Sequence, residues 1–363
     1  MYFVLLCAAM TFILSGLFYI SVRCRRFAAV RRAWQRSKVM GWVIFAMPFA
    51  AFFISACINF YGASVWFLHL IIFFMLFDGL GWTVGKILHG KARCYISGIL
   101  AFMVTFAYMG LGWFLAHHVF ETDYKIITEK EASVRIALIA DAHIGATLDG
   151  VKFREQIKRI AAAEPDILAV AGDFADDGTK RKDMLAACKA FAEIEPRYGK
   201  YYVFGNHDKE VQNGGEFTWE EMCSALEGAG VTVLEDECAK IGDSIYLIGR
   251  KDRSEEGGRM TAGELMKGLS GERYTVVLDH QPGDYDAEAE AGMDLVLSGH
   301  THGGHIYPFG CIGILTGEND GTYGYSHRKN TDFIITSGIS GWSIPFKTGA
   351  VSEFVIIDVG KAG

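Results

Sequence analysis

Five short hydrophobic runs in the second two-thirds of the chain end in side chains that can bind metal ions. Each of the runs IALIA, ILAVA, YYVF, TVVL and DLVLS is followed within two residues by Asp, Asn or His. The resulting clusters are Asp141-Ala142-His143, Gly172-Asp173, Gly205-Asn206-His207-Asp208, Asp279-His280-Gln281-Pro282 and Gly299-His300-Thr301-His302. One such residue alone is more often a cap or turn residue, but five clusters of the same kind indicate a shared site.

These side chains have the chemistry of a site for divalent metal ions. Carboxylate, imidazole and amide oxygen groups bind borderline ions such as Mn²⁺, Fe²⁺ or Zn²⁺. The clusters hold more ligands than one ion requires, and a carboxylate can bridge two ions. Two ions about 3.5–4 Å apart activate a water molecule and neutralise a transferring phosphoryl group. The residues therefore favour two bound metal ions and phosphoester hydrolysis.

The elements that must position these clusters alternate between short β-rich runs and amphipathic stretches, which indicates a layered α/β or α+β domain with helices outside a sheet. Ligands in such folds gather at the carboxyl ends of strands. The predicted strands are Val134–Ala140, Ile167–Ala171, Tyr201–Phe204, Val231–Leu234, Ile245–Ile248, Tyr274–Leu278, Leu295–Leu297, Phe333–Thr336 and Phe354–Val359. The predicted helices are Lys152–Ala162, Lys180–Glu193, Thr218–Glu227 and Ala262–Leu269.

The first third of the chain has a different composition. Residues 1–120 hold 10 of the 35 Lys and Arg residues and one of the 42 acids, which leaves 25 basic and 41 acidic residues in 121–363. Four apolar runs are long enough to cross a bilayer, namely Tyr2–Ser21, Met40–Tyr61, Ala63–Val84 and Cys94–Phe120. We therefore expect a four-helix transmembrane region over 1–120, a polar linker over 121–133 and a catalytic domain over 134–363. The acidic second part argues against nucleic acid as a partner.

The basic loops predict the orientation of the spans. Seven basic residues between Arg23 and Lys38 follow the first run, and Lys86, Lys91 and Arg93 follow the third. Basic loops stay in the cytoplasm, so both of these loops are expected there. An even number of spans then places Met1 and the catalytic domain together on the extracytoplasmic side. Asp78 is the single acid in these runs. It is either a functional intramembrane carboxylate or a partner of a basic loop residue.

The ordered blocks D-x-H, G-D, G-N-H-D, H and G-H-x-H, spread over residues 134–359, resemble the calcineurin-like metallophosphoesterase superfamily. The resemblance implies a four-layer sandwich, two sheets flanked by helices, with a dinuclear metal centre. It implies that Asp141, His143 and His302 hold one ion, that Asp173 bridges, and that Asn206, His280 and His300 hold the other. It also implies that His207 stabilises the transition state or protonates the leaving oxygen, oriented by Asp176 or Asp208.

The GHTHGG form of the last block, behind an N-terminal membrane part, is similar to a bacterial membrane-associated branch of that superfamily. The resemblance implies phosphodiesters or lipid-linked pyrophosphates as substrates, UDP-diacylglucosamine among them. Two positions depart from the family pattern. His305 stands where Gln is expected and is either a substrate contact or a packing residue. Lys347, in the run Ile344-Pro345-Phe346-Lys347, stands near the position of a family Arg, and either it replaces that cation as a substrate contact or the site prefers another headgroup.

The resulting hypothesis is a membrane-anchored, dinuclear-metal-dependent phosphohydrolase that uses a metal-bridging hydroxide. The bond that it cleaves is a phosphodiester or a pyrophosphate bond, and the substrate can be lipid-linked. The lipid bilayer is a second partner. One alternative is a calcineurin-fold scaffold with weak activity, because fold alone does not imply function. Another is a sensor or transporter whose helices carry the main function. The identity of the metal and the oligomeric state stay open.

Overall fold

The computed structural model describes residues 2–88, 94–210, 215–255 and 257–361 of the 363-residue chain. The chain divides into two compact units, Met1–Gly112 and Trp113–Gly363. The division falls within the fifth helix, so the last turn of that helix belongs to the second unit.

The first unit contains apolar helices at all four predicted runs. Its helices are α1 (Tyr2–Cys24), α2 (Ala28–Arg36), α3 (Lys38–Ile58), α4 (Phe60–Ile87) and α5 (Ile96–His117). Among the described residues, α3, α4 and α5 are long and apolar enough to cross a membrane, and the part of α1 from Ala9 to Cys24 is a shorter apolar stretch of helix. The helix α2 was not predicted, because it lies in the basic loop. Lys91 and Arg93, on which the predicted orientation partly depends, lie outside the described residues.

Asp78 is part of a buried polar cluster in the first unit. Its carboxylate accepts hydrogen bonds from the hydroxyls of Tyr19 at 2.6 Å and Tyr95 at 2.7 Å. It also pairs with the guanidinium of Arg23, which lies at the start of the basic loop. Since a buried carboxylate is tolerated when it is paired and hydrogen-bonded, these contacts match the second of the two expectations for Asp78.

The second unit contains the predicted mixture of strands and helices. Its strands are β1 (Val119–Ile127), β2 (Val134–Ile139), β3 (Ile167–Ala171), β4 (Lys200–Val203), β5 (Val231–Val233), β6 (Glu237–Ile241), β7 (Ile245–Gly249), β8 (Tyr274–Leu278), β9 (Leu295–Ser298), β10 (Gly324–Arg328), β11 (Thr331–Ile335) and β12 (Ser352–Gly360). Its further helices are α6 (Gly150–Ala162), α7 (Arg181–Ala190), α8 (Trp219–Gly228), α9 (Ala262–Met266), α10 (Tyr285–Ala291) and α11 (Ile312–Thr316).

These strands form two mixed sheets, and the four-layer sandwich is confirmed. In the described part of the chain the strand orders are β1-β12-β2-β3-β4-β5 and β10-β11-β9-β8-β7-β6. The two sheets share one apolar core, in which Leu138, Val203 and Leu297 meet. A second core lies between the first sheet and helices α6, α7 and α8, and a third between the second sheet and α9 and α10. Strands such as β3 and β8 are covered on both faces, and their sequences are therefore unbroken apolar runs.

Strand β1 occupies much of the segment that was expected to be a linker. It pairs in parallel with β12 from Val119 opposite Ser352 to Ile127 opposite Gly360. Its side chains are mostly half-buried or exposed, because it lies at the edge of the sheet. The polar composition of an edge strand resembles that of a linker, which is why the sequence alone does not distinguish residues 119–127 from one.

Candidate metal centre

The predicted ligands come from the carboxyl ends of strands in both sheets. Asp141 and His143 follow β2, Asp173 follows β3 and Asn206 follows β4 in the first sheet, whereas His280 follows β8 and both His300 and His302 follow β9 in the second. All of these strands run in parallel with a neighbour in their sheet. Parallel strands bring their carboxyl ends to one edge, so ligands that lie far apart in sequence meet there.

The structure gathers six of the predicted ligands into two groups. Asp141, His143 and His302 offer ligand atoms within 4.8 Å of one another, and so do Asp173, His280 and His300. The Oδ1 atom of Asn206 lies 2.9 Å from Nδ1 of His300, which places its amide beside the second group. The two groups correspond to the two expected sets of metal ligands.

Asp173 lies between the two groups. Its Oδ2 atom is 3.1 Å from Nε2 of His280 in the second group and 3.6 Å from Nε2 of His143 in the first. Its Oδ1 atom accepts a hydrogen bond of 2.9 Å from the backbone N–H of His207. This position matches the expectation that Asp173 bridges two ions.

The buried polar atoms fit divalent cations. Nε2 of His143 and Nδ1 of His302 are buried without a hydrogen-bond partner among the described atoms, although an unpaired buried polar atom is costly. Burial raises the pKa of Asp141 to about 6, and the neighbouring Asp173 carboxylate adds to this effect. Burial disfavours the charged form of His280, but Asp173, Asp141 and Asp252 outweigh burial and raise its pKa well above the ordinary value. Carboxylates this crowded favour a compact positive charge, which divalent ions would supply.

The ligands are held in backbone conformations that side chains other than glycine rarely adopt. Among the described residues, ten other than glycine have a positive φ, and Asp141, His143, Asp173, His300 and His302 are five of them. Such conformations cost free energy and cluster at functional sites, where the surrounding structure enforces them. The strain supports a functional centre rather than a set of ordinary turns.

His207 lies beside the first group of ligands. Its ring stacks on Trp342 at 5.2 Å between centroids and meets the ring of His143 edge-on at 5.5 Å. Its Nδ1 atom is 3.4 Å from a carboxylate oxygen of Glu210. The position suits a group that acts on a phosphoester held by the two sets of ligands. Sequence reasoning missed Trp342 and Glu210.

Asp176 and Asp208 have partners other than the predicted one. Asp176 accepts a hydrogen bond of 3.2 Å from Nδ1 of His143, so it orients a candidate metal ligand. Asp208 is fully buried and accepts backbone N–H bonds of 2.7–3.1 Å from Asp173, Phe174, Ala175 and Gly205. It therefore shapes the loops that carry Asp173 and Asn206. The hydrogen bonds of Asp176 and Asp208 therefore go to groups other than the His207 ring, whose described neighbours include Trp342 and Glu210.

The two expected substrate contacts are His305 and Lys347. His305 is half-buried, its ring centroid is 5.2 Å from that of His302, and desolvation of the ring lowers its pKa to about 3. This position agrees with the packing alternative. Lys347 is fully buried and donates to the carbonyl oxygens of Ser337, Gly338 and Val351 at 2.6–3.2 Å. Since its ammonium bonds to backbone, Lys347 holds a loop rather than a substrate.

We predict that Gly205→Ala abolishes metal binding and hydrolysis. A Cβ atom at this position would collide with the Asp173 carboxylate and lie 2.6 Å from the Asp173 backbone nitrogen. The matched control is Gly228→Ala in α8, where an added Cβ meets nothing within 4 Å. Metal content by elemental analysis and hydrolysis of bis-p-nitrophenyl phosphate compare the two variants. Wild-type metal content in the Gly205 variant would contradict the close packing.

A second prediction concerns Lys347→Met. Loss of the ammonium leaves three buried carbonyl oxygens without their donor, so we expect the free energy of unfolding to fall by about 1–3 kcal/mol. Metal affinity should fall too, because a Cβ atom built on Gly338 would lie 2.7 Å from Cβ of Asp141, so the loop supports that ligand. Thermal unfolding and metal titration measure both effects. Lys182→Met, at an exposed position in α7, should change neither.

Comparison with known proteins agrees with this geometry. The family model of the calcineurin-like phosphoesterases matches residues 134–304, which include the predicted ligands. A metallophosphoesterase of Aquifex aeolicus is 34% identical over 250 residues, with 66% of this chain and 91% of that protein covered.

Two further relatives extend the comparison to animals. A protein of Caenorhabditis elegans named as a metallophosphoesterase is 28% identical over 325 residues, with 80% of this chain covered. The match spans 64% of that protein, so less than two thirds of its length. A transmembrane protein with a metallophosphoesterase domain from Danio rerio is 26% identical over 253 residues, with 65% of this chain and 55% of that protein covered. On the family model, the Aquifex relative and the two groups of ligands, the chain belongs to the calcineurin-like metallophosphoesterase family.

Proposed function

We propose that the protein is a membrane-anchored, dinuclear-metal-dependent phosphohydrolase that cleaves a phosphodiester or pyrophosphate bond of a lipid-linked substrate. The observation that carries the proposal is the position of Asp173 between two groups of ligands, 3.6 Å from His143 and 3.1 Å from His280. The apolar helices of the same chain support the membrane anchor.

Each part of the centre has a distinct task in this proposal. Asp141, His143 and His302 would hold one ion, Asn206, His280 and His300 the other, and Asp173 both. Two divalent ions bound there supply an activated water and neutralise the negative oxygens of the phosphoryl group.

The remaining groups act through the chain itself. His207 donates a proton to the leaving oxygen, a role that an imidazole can fill because its ring nitrogens both bind and release protons. Trp342 holds the His207 ring in place by stacking on it. Asp176 fixes the ring of His143 through its Nδ1 atom.

We further propose that the catalytic domain is extracytoplasmic. The basic residues between Arg23 and Lys38 support this side, since basic loops stay in the cytoplasm. The prediction is that alkaline phosphatase fused after Lys361 is active in a bacterial host, whereas green fluorescent protein at the same point is dark. Fluorescence of the second fusion with inactivity of the first would invert the orientation.

Hydrolysis by the purified full chain tests the function. The panel contains bis-p-nitrophenyl phosphate, p-nitrophenyl phosphate and UDP-diacylglucosamine, each with Mn²⁺ and with a chelator. Metal-dependent cleavage of a diester or of the nucleotide supports the proposal. Cleavage of none of them by protein that contains two metal ions would favour a binding scaffold. Because UDP-diacylglucosamine is a cytoplasmic compound, its cleavage would also count against the extracytoplasmic side.

A further inference from the structure

A segment with exposed apolar side chains follows His300 and His302, the last two predicted metal ligands, in the sequence. Residues 306–317 contain no charged side chain, although residues 121–363 hold 41 acidic and 25 basic residues. In this stretch Tyr307 is 65% exposed, Leu315 is 78% exposed, and Ile312 and Ile314 are each about half exposed. We call residues 307–315 the apolar segment. Exposed apolar side chains grouped in this way mark a surface that binds another apolar surface.

The apolar segment is fixed to the loops around the metal centre. The backbone of Gly310 packs against that of Gly304, two residues after His302, so closely that a Cβ on Gly310 would lie 2.6 Å from Cα of Gly304. The backbone N–H of Tyr307 donates to Oγ1 of Thr348 at 3.0 Å. The N–H of Thr348 in turn donates to the carbonyl oxygen of His305 at 2.9 Å. The segment therefore keeps its place beside the ligands.

The last apolar helix, α5, continues into the second unit without a linker. Helix α5 ends at His117 and β1 begins at Val119, so only His118 separates them. The last turn of α5 belongs to the second unit. In this turn Ala116 is buried, and its carbonyl oxygen accepts a hydrogen bond of 3.0 Å from Oγ of Ser352. Because α5 is long and apolar enough to cross a membrane, an α5 that spans the bilayer would bring the chain out of the lipid within a few residues of Val119.

The register of the first sheet places Val119 at the same edge of the sheet as the predicted metal ligands. Val119 pairs with Ser352, and β12 runs antiparallel to β2 with Val355 opposite Leu138. The same register continued puts Ser352 level with Asp141. Two strand spacings of about 4.8 Å separate β1 from β2, so Val119 lies about 10 Å across the sheet from Asp141. The opposite end of β1, at Ile127, lies about 26 Å further along the strand.

We propose that the apolar segment inserts into the surface of the phospholipid bilayer and turns the metal centre towards phosphoesters held in that membrane. The inference rests on the proposed function for its lipid-linked substrate, but not for the docking itself. The bilayer is the occupant that the structure favours, because only His118 separates the apolar helix α5 from the strand whose first residue is level with Asp141, and because the segment is uncharged in an acidic domain. A second copy of the chain is the competing occupant.

Quenching of a fluorophore by spin-labelled lipid tests the docking in the full chain. The protein is reconstituted in phosphatidylcholine nanodiscs that contain lipid with a doxyl group near the headgroup. The exposed cysteines Cys57, Cys94, Cys238 and Cys311 are replaced by Ser, and this background without an added cysteine gives the labelling blank. The test site is Leu315→Cys, and the matched control is Ile127→Cys, which is 68% exposed at the far end of β1.

The label at residue 315 is expected to be quenched roughly twofold or more, since an interfacial segment enters about 5–10 Å into the headgroup and acyl boundary. Ile312→Cys provides a second site in the segment with the same expectation, in case the first variant folds poorly. The label at residue 127 should keep its emission. Equal emission at residues 315 and 127 would overturn the inference, whether a second copy or water covers the segment.

The quenching measurement does not depend on turnover. Quenching at residue 315 in a protein that cleaves no phosphoester would support the docking and count against the proposed function. Cleavage of UDP-diacylglucosamine or of bis-p-nitrophenyl phosphate without quenching would do the reverse.

Discussion

Replacement of Asp173 by asparagine is expected to lower the rate of phosphodiester hydrolysis by about a thousandfold or more. The substitution keeps an oxygen that can accept the N–H of His207, but it removes the negative charge between the two groups of ligands. Metal ions contribute several kcal/mol of transition-state stabilisation, and each 1.4 kcal/mol is about a factor of ten in rate. Under the proposed bridging role of Asp173, its replacement should therefore affect both ions.

Two measurements separate this effect from a general loss of structure. Elemental analysis should find fewer than two ions per chain in the Asp173 variant, and kcat with Mn²⁺ in excess should stay low. Asp177→Asn is the control, since it is the same substitution four residues away at an exposed position. A variant with two bound ions and a wild-type rate would show that Asp173 does not bridge.

The sequence predicts the interior of the fold better than its edges. Strands such as β3 and β8 are covered on both faces, so their apolar runs are visible without any knowledge of their partners. Strand β1 is polar and half-exposed, and its partner β12 lies at the other end of the chain. Nothing local distinguishes such an edge strand from a linker, because its stability comes from a pairing that sequence alone does not show.

The same distinction applies to the candidate centre. The ligands follow strands, so their common edge could be predicted from the strand pattern. The partners of His207 could not, because Trp342 reaches it from a loop between β11 and β12. Its signal in the sequence is weak, a single Trp in a Gly- and Ser-rich loop. Lys347 was misassigned for a related reason, since only the packed structure shows that carbonyl oxygens surround its ammonium.

A test of His207 as the proton donor depends on the leaving group. General acid catalysis contributes about 10²–10⁴-fold, and its share grows as the leaving oxygen becomes more basic. His207→Ala should therefore lower kcat strongly for an alkyl phosphodiester and far less for bis-p-nitrophenyl phosphate, whose p-nitrophenolate departs without a proton. Steady-state rates on the two diesters at the same metal concentration give the ratio.

The ratio also separates chemistry from position. His207 stacks on Trp342 and meets His143 edge-on, so its removal could instead displace a candidate metal ligand. That displacement would slow both diesters equally and reduce the metal content, which elemental analysis detects. His327→Ala is the matched control, because His327 is half exposed on β10 and pairs with Asp332. An equal loss for both leaving groups with two ions still bound would assign His207 to stabilisation of the phosphoryl oxygens rather than to proton donation, since only proton donation depends on the basicity of the leaving oxygen.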